Sequence, residues 1–162
     1  MLGPDDHHAL EALYRSRFDV FLRIALATTR DESLAYDAVQ EGFARALRSF
    51  DGFRGDAPLE VWVWRIVLNA AHDLRPRRQV EPVAEPAEQA DVSISESSSI
   101  GEFASWLAVL PKRQRMAVFL RYGADLDYRS IALVLGVEVG TVSATLHTAR
   151  QRLEELLQEV RQ

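Results

Sequence analysis

Residues 79–99 constrain the fold most, because a packed core cannot run through them. Glu81-Pro-Val-Ala-Glu-Pro-Ala-Glu-Gln-Ala-Asp91 is acidic and proline-rich, and five serines lie between Ser93 and Ser99. Such composition buries too little apolar area to offset the entropy of ordering, so the stretch reads as a flexible linker. It divides the 162 residues into two small domains, 1–78 and 100–162. Nearly half of the residues are hydrophobic, enough for a core in each. No period-two run of strand length occurs, so the class is all-α: two small helical domains joined by a flexible linker.

In the first domain, Leu10, Leu13, Tyr14, Phe21, Ile24 and Ala25 predict a helix over 6–29. A break follows at Thr28 to Asp31, where Asp31 and Ser33 can cap the next helix. That helix, 32–50, turns Ala35, Val39, Phe43, Ala46 and Phe50 one way and Asp37, Gln40, Glu41 and Arg48 the other. The polar face fits a solvated surface as well as a docking site. Gly42 in mid-helix costs about 1 kcal/mol relative to Ala, which suggests a close approach there. Residues 51–57 form a loop by their two glycines. Pro58 suits the first turn of a third helix that runs to Arg75.

In that third helix, Leu59, Trp62, Val63, Ile66, Val67, Ala70 and Leu74 form the expected buried stripe. Trp64 and Leu68 fall on the opposite side and need a cover. The cover is either another helix of the domain or an external partner such as a nucleobase. Asn69 fits either a surface amide or a polar reader. Arg75-Pro-Arg-Arg78 ends the helix in a basic cluster.

The second domain opens with a short helix, 100–109, followed by one that starts at Leu110-Pro111. Lys112, Arg113 and Arg115 crowd its first turn, against the helix dipole. Asp127 to Arg152 then reads as helix, turn and longer helix. Asp127 is a natural N-cap. Ile131, Val134 and Leu135 give an apolar side, and Gly136 stands where the chain must turn left-handed. Val142, Leu146, Ala149, Leu153, Leu156 and Val160 make one helical face. Two helices joined by a short Gly-containing turn are the signature of a helix-turn-helix, and also of an ordinary αα-hairpin.

Net charge is −5, and residues 101–162, with eight basic and seven acidic side chains, are the only section with a basic excess. Phosphate neutralisation supplies non-specific DNA affinity, so this chain should bind duplex DNA poorly by itself. Without cysteine, disulfides, cysteine zinc sites and cysteine nucleophiles are excluded, which fits a cytoplasmic setting. No signal peptide and no apolar run of membrane-spanning length is visible, so no membrane insertion is expected. His7, His8, His72 and His147 are scattered, with neither metal spacing nor a nucleophile beside them.

Asp37-Ala-Val-Gln-Glu41-Gly-Phe43, Phe53-Arg54-Gly55, Trp62-Val-Trp-Arg65-Ile66 with Asn69 and Asp73, Leu110-Pro111, Val118-Phe-Leu-Arg-Tyr122, Ile131-Ala132, Leu135-Gly136 and Gly140-Thr141-Val142 occur in one order. In that order and spacing the chain resembles the extracytoplasmic-function (ECF) sigma factors, small bacterial sigma subunits of RNA polymerase. The resemblance implies a non-enzymatic subunit without cofactor that directs promoter recognition and melting. It implies that Asp37, Gln40, Glu41 and Arg48 dock on the clamp helices of the polymerase β′ subunit. It implies that Phe53, Arg54, Trp64, Arg65, Asn69, Arg75, Arg77 and Arg78 hold the non-template strand of the minus-ten element. Aromatic platforms beside a basic track suit single-stranded DNA, and an amide such as Asn69 suits a flipped base.

The C-terminal domain would bind the β flap and the minus-thirty-five element. Its residues there would be Arg129, Thr141, Ser143, Ala144, Thr145, His147, Thr148 and Arg150, the side chains of a recognition helix and its neighbour. An anti-sigma factor would be the controlling partner. The family commonly shows Lys-Ser-Arg after Gly-Thr-Val and a further Arg after the His. This chain has Ser143-Ala144-Thr145 and Thr148, and Pro76 interrupts the arginine run. That bare edge fits a sigma-like adaptor with weak or altered DNA contact, which the aromatic and arginine segment at 53–78 opposes. A free-standing helix-turn-helix regulator would need a dimer interface and a stronger basic patch.

Overall fold

A computed structural model describes residues 4–74 and 107–161. The linker 79–99, Arg75, Arg77, Arg78 and most of the short helix expected at 100–109 lie outside the described residues. Every regular element among the described residues is helical.

Helix α1 is Pro4–Thr29, α2 is Glu32–Arg48, and α3 is Leu59–Leu74. Arg30 turns the chain at φ 57°. Asp31 Oδ1 then accepts the Leu34 amide at 2.8 Å and caps α2. Helices α2 and α3 cross through small residues, and Ala35, Ala38, Gly42 and Ala46 are buried. A Cβ at Gly42 would lie 2.5 Å from Val67 Cγ2 and 2.7 Å from Val67 Cα, so only glycine permits this approach. The close contact expected from a mid-helix glycine is therefore between α2 and α3.

Helix α1 lies across both and covers Trp64. The Phe21 and Trp64 rings stack with centroids 3.8 Å apart, and Phe43 meets Phe21 edge-on at 5.1 Å. The buried side of α3 carries Val61, Val63, Trp64, Val67, Leu68, Ala70 and Ala71. The expected stripe is thus rotated: Leu59, Trp62, Ile66 and Leu74 are half-buried at its edge. The reason is that α3 is covered on two sides, by α2 and by α1, so Trp64 and Leu68 face protein rather than water.

The C-terminal helices are α4, Lys112–Val118, α5, Tyr128–Leu135, and α6, Val139–Val160. A π-turn over Phe119–Gly123 continues α4, closed by the Ala124 amide on the Phe119 carbonyl at 3.0 Å. Asp127 Oδ1 accepts the Ser130 amide at 2.7 Å, as expected of the N-cap. Gly136 ends α5 in the left-handed region at φ 67°. α5 and α6 then bend by 101°, the angle of a helix-turn-helix. Ile131, Ala132, Val134, Val142, Leu146 and Ala149 are buried, whereas Leu157 and Val160 are exposed at the far end of α6.

The two helical groups touch. α3 packs on α5, and α1 on α4 and the π-turn. The Arg17 guanidinium donates to Glu60 Oε1 at 3.0 Å from Nε and to the Ala124 carbonyl from Nη2. Lys112 Nζ lies 3.2 Å from His72 Nδ1. Among the described residues, no single helix is long and apolar enough to cross a membrane.

Candidate nucleic-acid interface

The first surface begins where α2 ends. Ser49 closes α2 by returning its amide and hydroxyl to the Arg45 carbonyl at 2.9 and 2.7 Å. A 3-10 turn over Phe50–Gly52 follows, and Phe53 caps it in an extended conformation. Phe50, Phe53 and Trp62 form a half-buried aromatic triplet beside the loop. Phe53 is 5.1 Å from Trp62 and 5.6 Å from Phe50, and Phe50 meets Trp62 edge-on at 5.9 Å. Arg54 is exposed next to it, and Gly55 turns the loop at φ 74°.

Trp64 does not belong to this surface. It is 0% exposed, stacked on Phe21, and its indole N–H points to Glu60 Oε1 at 3.3 Å. A nucleobase could reach it only by displacing α1. The expectation that Trp64 contacts minus-ten DNA is therefore corrected, and Trp62 is the tryptophan beside Phe53. A shift of two positions on a helix turns a side chain by about 200°, so a misplaced stripe exchanges these two residues.

Two turns beyond Trp62 on α3, Asn69 is exposed and lines a shallow cleft with Arg45, Arg48, Ser49 and Ile66. The arginines are held by carboxylates. Glu41 Oε1 accepts from Arg45 Nε at 2.8 Å and from Arg48 Nη2 at 3.2 Å. Arg45 Nη1 donates to Asp73 Oδ2 at 2.8 Å, tying α2 to α3. The hydrogen bond from Arg45 holds the Glu41 carboxyl below its usual range and keeps it ionised. Asp37 and Gln40 are exposed beside Glu41 on α2. Arg45 and Trp62 are the residues that sequence reasoning passed over here. Arg45 carried a readable signal, since it stands four residues after Glu41 on one helix.

The second surface is the leading edge of α6. Ser143, Ala144, His147 and Thr148 are exposed, and Thr141 and Thr145 are half-buried. The Thr145 and Thr148 hydroxyls donate back to the Thr141 and Ala144 carbonyls at 2.7 and 3.0 Å, so each is left as an acceptor. Arg150 Nη2 donates to the Tyr128 hydroxyl at 2.9 Å and braces α6 on α5. Arg121 lies 5.9 Å from the centres of the Tyr122 and Tyr128 rings, within cation–π range. Arg129 and Arg65 line one groove where α5 meets α3, with Ala132, Leu133, Gly136, Val137, Glu138 and Val139. Arg65 thus stands apart from the Asn69 cleft and near the second surface. Among the described residues no group of His, Cys, Asp and Glu has the arrangement of a metal site.

An aromatic and arginine-lined surface on one helical group and a helix-turn-helix on the other define a two-handed nucleic-acid-binding protein. The comparisons with known proteins give its family. A family model described as Sigma-70 region 2 matches residues 13–80, and one described as Sigma-70, region 4 matches residues 101–153. The ECF RNA polymerase sigma factor SigM of Mycobacterium tuberculosis is 33% identical over 161 residues, covering 94% of this chain and 79% of that protein. The RNA polymerase sigma-E factor of Streptomyces avermitilis is 31% identical, covering 91% of this chain and 84% of that protein. Among solved structures, CnrH in complex with the cytosolic domain of CnrY has a TM-score of 0.74 at 25% identity, covering 94% of this chain and 90% of that one. The sigma factor RpoE of Bartonella quintana, in complex with the anti-sigma factor NepR, has a TM-score of 0.67 at 26% identity, covering 91% and 98%. The chain belongs to the ECF sigma factors.

Proposed function

We propose that this chain binds core RNA polymerase and directs it to promoters, where it helps melt the minus-ten element. The observation that carries the reading is the adjacency on α2 and α3 of an exposed carboxylate and amide face and an aromatic and arginine-lined cleft. Asp37, Gln40 and Glu41 would dock on the β′ clamp helices. Phe53, Trp62 and Arg54 would stack and track the single strand, and Asn69 would read a base in the cleft beside Arg48. Residues 1–78 form the region-2 domain in this reading, 79–99 the linker and 100–162 the region-4 domain. The subunit catalyses nothing itself and works in the cytoplasm, where the polymerase is. CnrH and RpoE are each held by a partner in their complexes, and a protein of that kind is the proposed controller of this chain.

The leading edge of α6 presents short hydroxyls and His147 rather than guanidinium groups, which supports a minor contribution of this module to DNA affinity. Arg129 and Arg150 are its candidate phosphate contacts. The test is a titration of labelled core polymerase with the wild-type chain and the Asp37→Ala, Glu41→Ala double variant. Weaker binding by a variant that keeps its helical circular dichroism is expected. Equal affinity refutes the docking face.

A further inference from the structure

Glu41 belongs to two surfaces at once. On α2 it shares the exposed face with Asp37 and Gln40, the proposed polymerase-docking face. Its Oε1 also accepts from Arg45 Nε at 2.8 Å and Arg48 Nη2 at 3.2 Å, and both arginines line the Asn69 cleft. One carboxylate oxygen therefore connects a protein-docking face to a nucleic-acid cleft. A carboxylate held against two guanidinium groups cancels charge that an incoming phosphate would otherwise meet. The cleft of the free protein is thus a weaker phosphate site than its two arginines imply.

The two arginines are not held alike. Arg45 has a second anchor across the cleft, Asp73 Oδ2 at 2.8 Å. The Arg48–Glu41 pair is open to solvent, with side chains 63% and 39% exposed. Exposed pairs of that kind are weak and yield to a competing ion.

We propose that Glu41 is a charge switch between the two surfaces: in the free protein it holds Arg48, and a cationic side chain of the docking polymerase takes over the carboxylate and releases Arg48 to a DNA phosphate beside Asn69. Arg45 stays on Asp73 and keeps the cleft in shape. Coupling of this sort is reciprocal, so strand capture tightens polymerase docking by the same factor that docking tightens strand capture. The switch rests on polymerase docking through Asp37, Gln40 and Glu41 and adds a mechanism to it.

Fluorescence anisotropy of a labelled mixed-sequence single-stranded DNA oligonucleotide, titrated with the free full-length chain from low to moderate salt, tests the switch. Glu41→Gln keeps the shape and removes the charge. It should bind the oligonucleotide severalfold more tightly than wild type at low salt. Its log affinity should fall with log salt more steeply, by ~0.7 for each further phosphate neutralised. Glu32→Gln removes the same charge from the exposed first turn of α2, away from the cleft, and should leave both quantities where they were. Adding Arg48→Gln to Glu41→Gln should abolish the tighter binding. If Glu41→Gln behaves like Glu32→Gln, or if the tighter binding survives loss of Arg48, the switch is wrong. Core-polymerase affinity, measured on the same proteins, keeps the two readings apart. Loss of core affinity with no tighter hold on the oligonucleotide refutes the switch alone, whereas unchanged core affinity refutes the docking role of Glu41.

Discussion

Exchanging the two neighbouring tryptophans of α3 for alanine, one at a time, should separate fold from function. Trp64 is fully buried and stacked on Phe21 at 3.8 Å, with Phe43 edge-on to the same Phe21 ring. Trp64→Ala leaves a cavity between α1 and α3 that neighbours as rigid as a ring stack fill poorly. Such changes cost about 3–5 kcal/mol, against about 5–15 kcal/mol for a whole domain. With a urea m-value of about 2 kcal/mol/M, the midpoint should drop by about 2 M. Trp62 is half-buried at the rim of its triplet, so Trp62→Ala loses an edge contact and part of its area, about 1–2 kcal/mol. Urea titrations followed by far-UV circular dichroism measure both. Permanganate reactivity of unpaired thymines in a reconstituted initiation complex measures promoter opening. Trp62→Ala should fold and open the promoter slowly, and Trp64→Ala should be crippled in stability. A Trp64→Ala protein with the wild-type midpoint and a specific opening defect would refute the burial argument and return Trp64 to the DNA surface.

Gly42→Ala adds about 1 kcal/mol of helix propensity but forces a methyl to within 2.7 Å of the Val67 backbone. Overpacking costs about 1–3 kcal/mol, and a backbone atom cannot rotate away, so net destabilisation is expected; a raised urea midpoint would contradict the crossing. Asp127→Ala should cost about 1 kcal/mol by removing the cap on α5, and Asp127→Asn much less, as thermal melts would show. The Ser130 amide lowers the Asp127 carboxyl from its ordinary value. Its contribution is therefore full above the usual carboxylate range and is lost as pH falls through the lowered folded value. The stability gap between wild type and Asp127→Ala should close in acid, and a gap independent of pH would count against the cap.

Local chemistry was readable from the sequence wherever one residue decides the outcome. Asp31 and Asp127 cap the helices they precede, Gly136 takes the left-handed turn, and Gly42 marks the close approach of α2 to α3. Helical periodicity also placed Ile131, Val142 and Leu146 inside. It failed on α3, because a helix covered on two sides carries a broad apolar arc, and a single stripe can be drawn through it in more than one way. That choice exchanged Trp62 and Trp64. The ionic bridge of Arg45 to Asp73 was not legible either, since it joins two helices whose register is set by the Gly42 contact. The uncharged leading edge of α6, Ser143 to Thr145, was legible as composition. What the structure adds is that the Thr145 and Thr148 hydroxyls already donate within α6.

Transcription reconstituted from core polymerase and this chain on a fragmented genomic library, with start sites mapped, bears most directly on the central claim. Start sites that require the chain and share an upstream sequence at fixed spacing are the expected result. Core polymerase that neither binds the chain nor acquires any start site from it, while the chain alone holds duplex DNA tightly, would contradict the account.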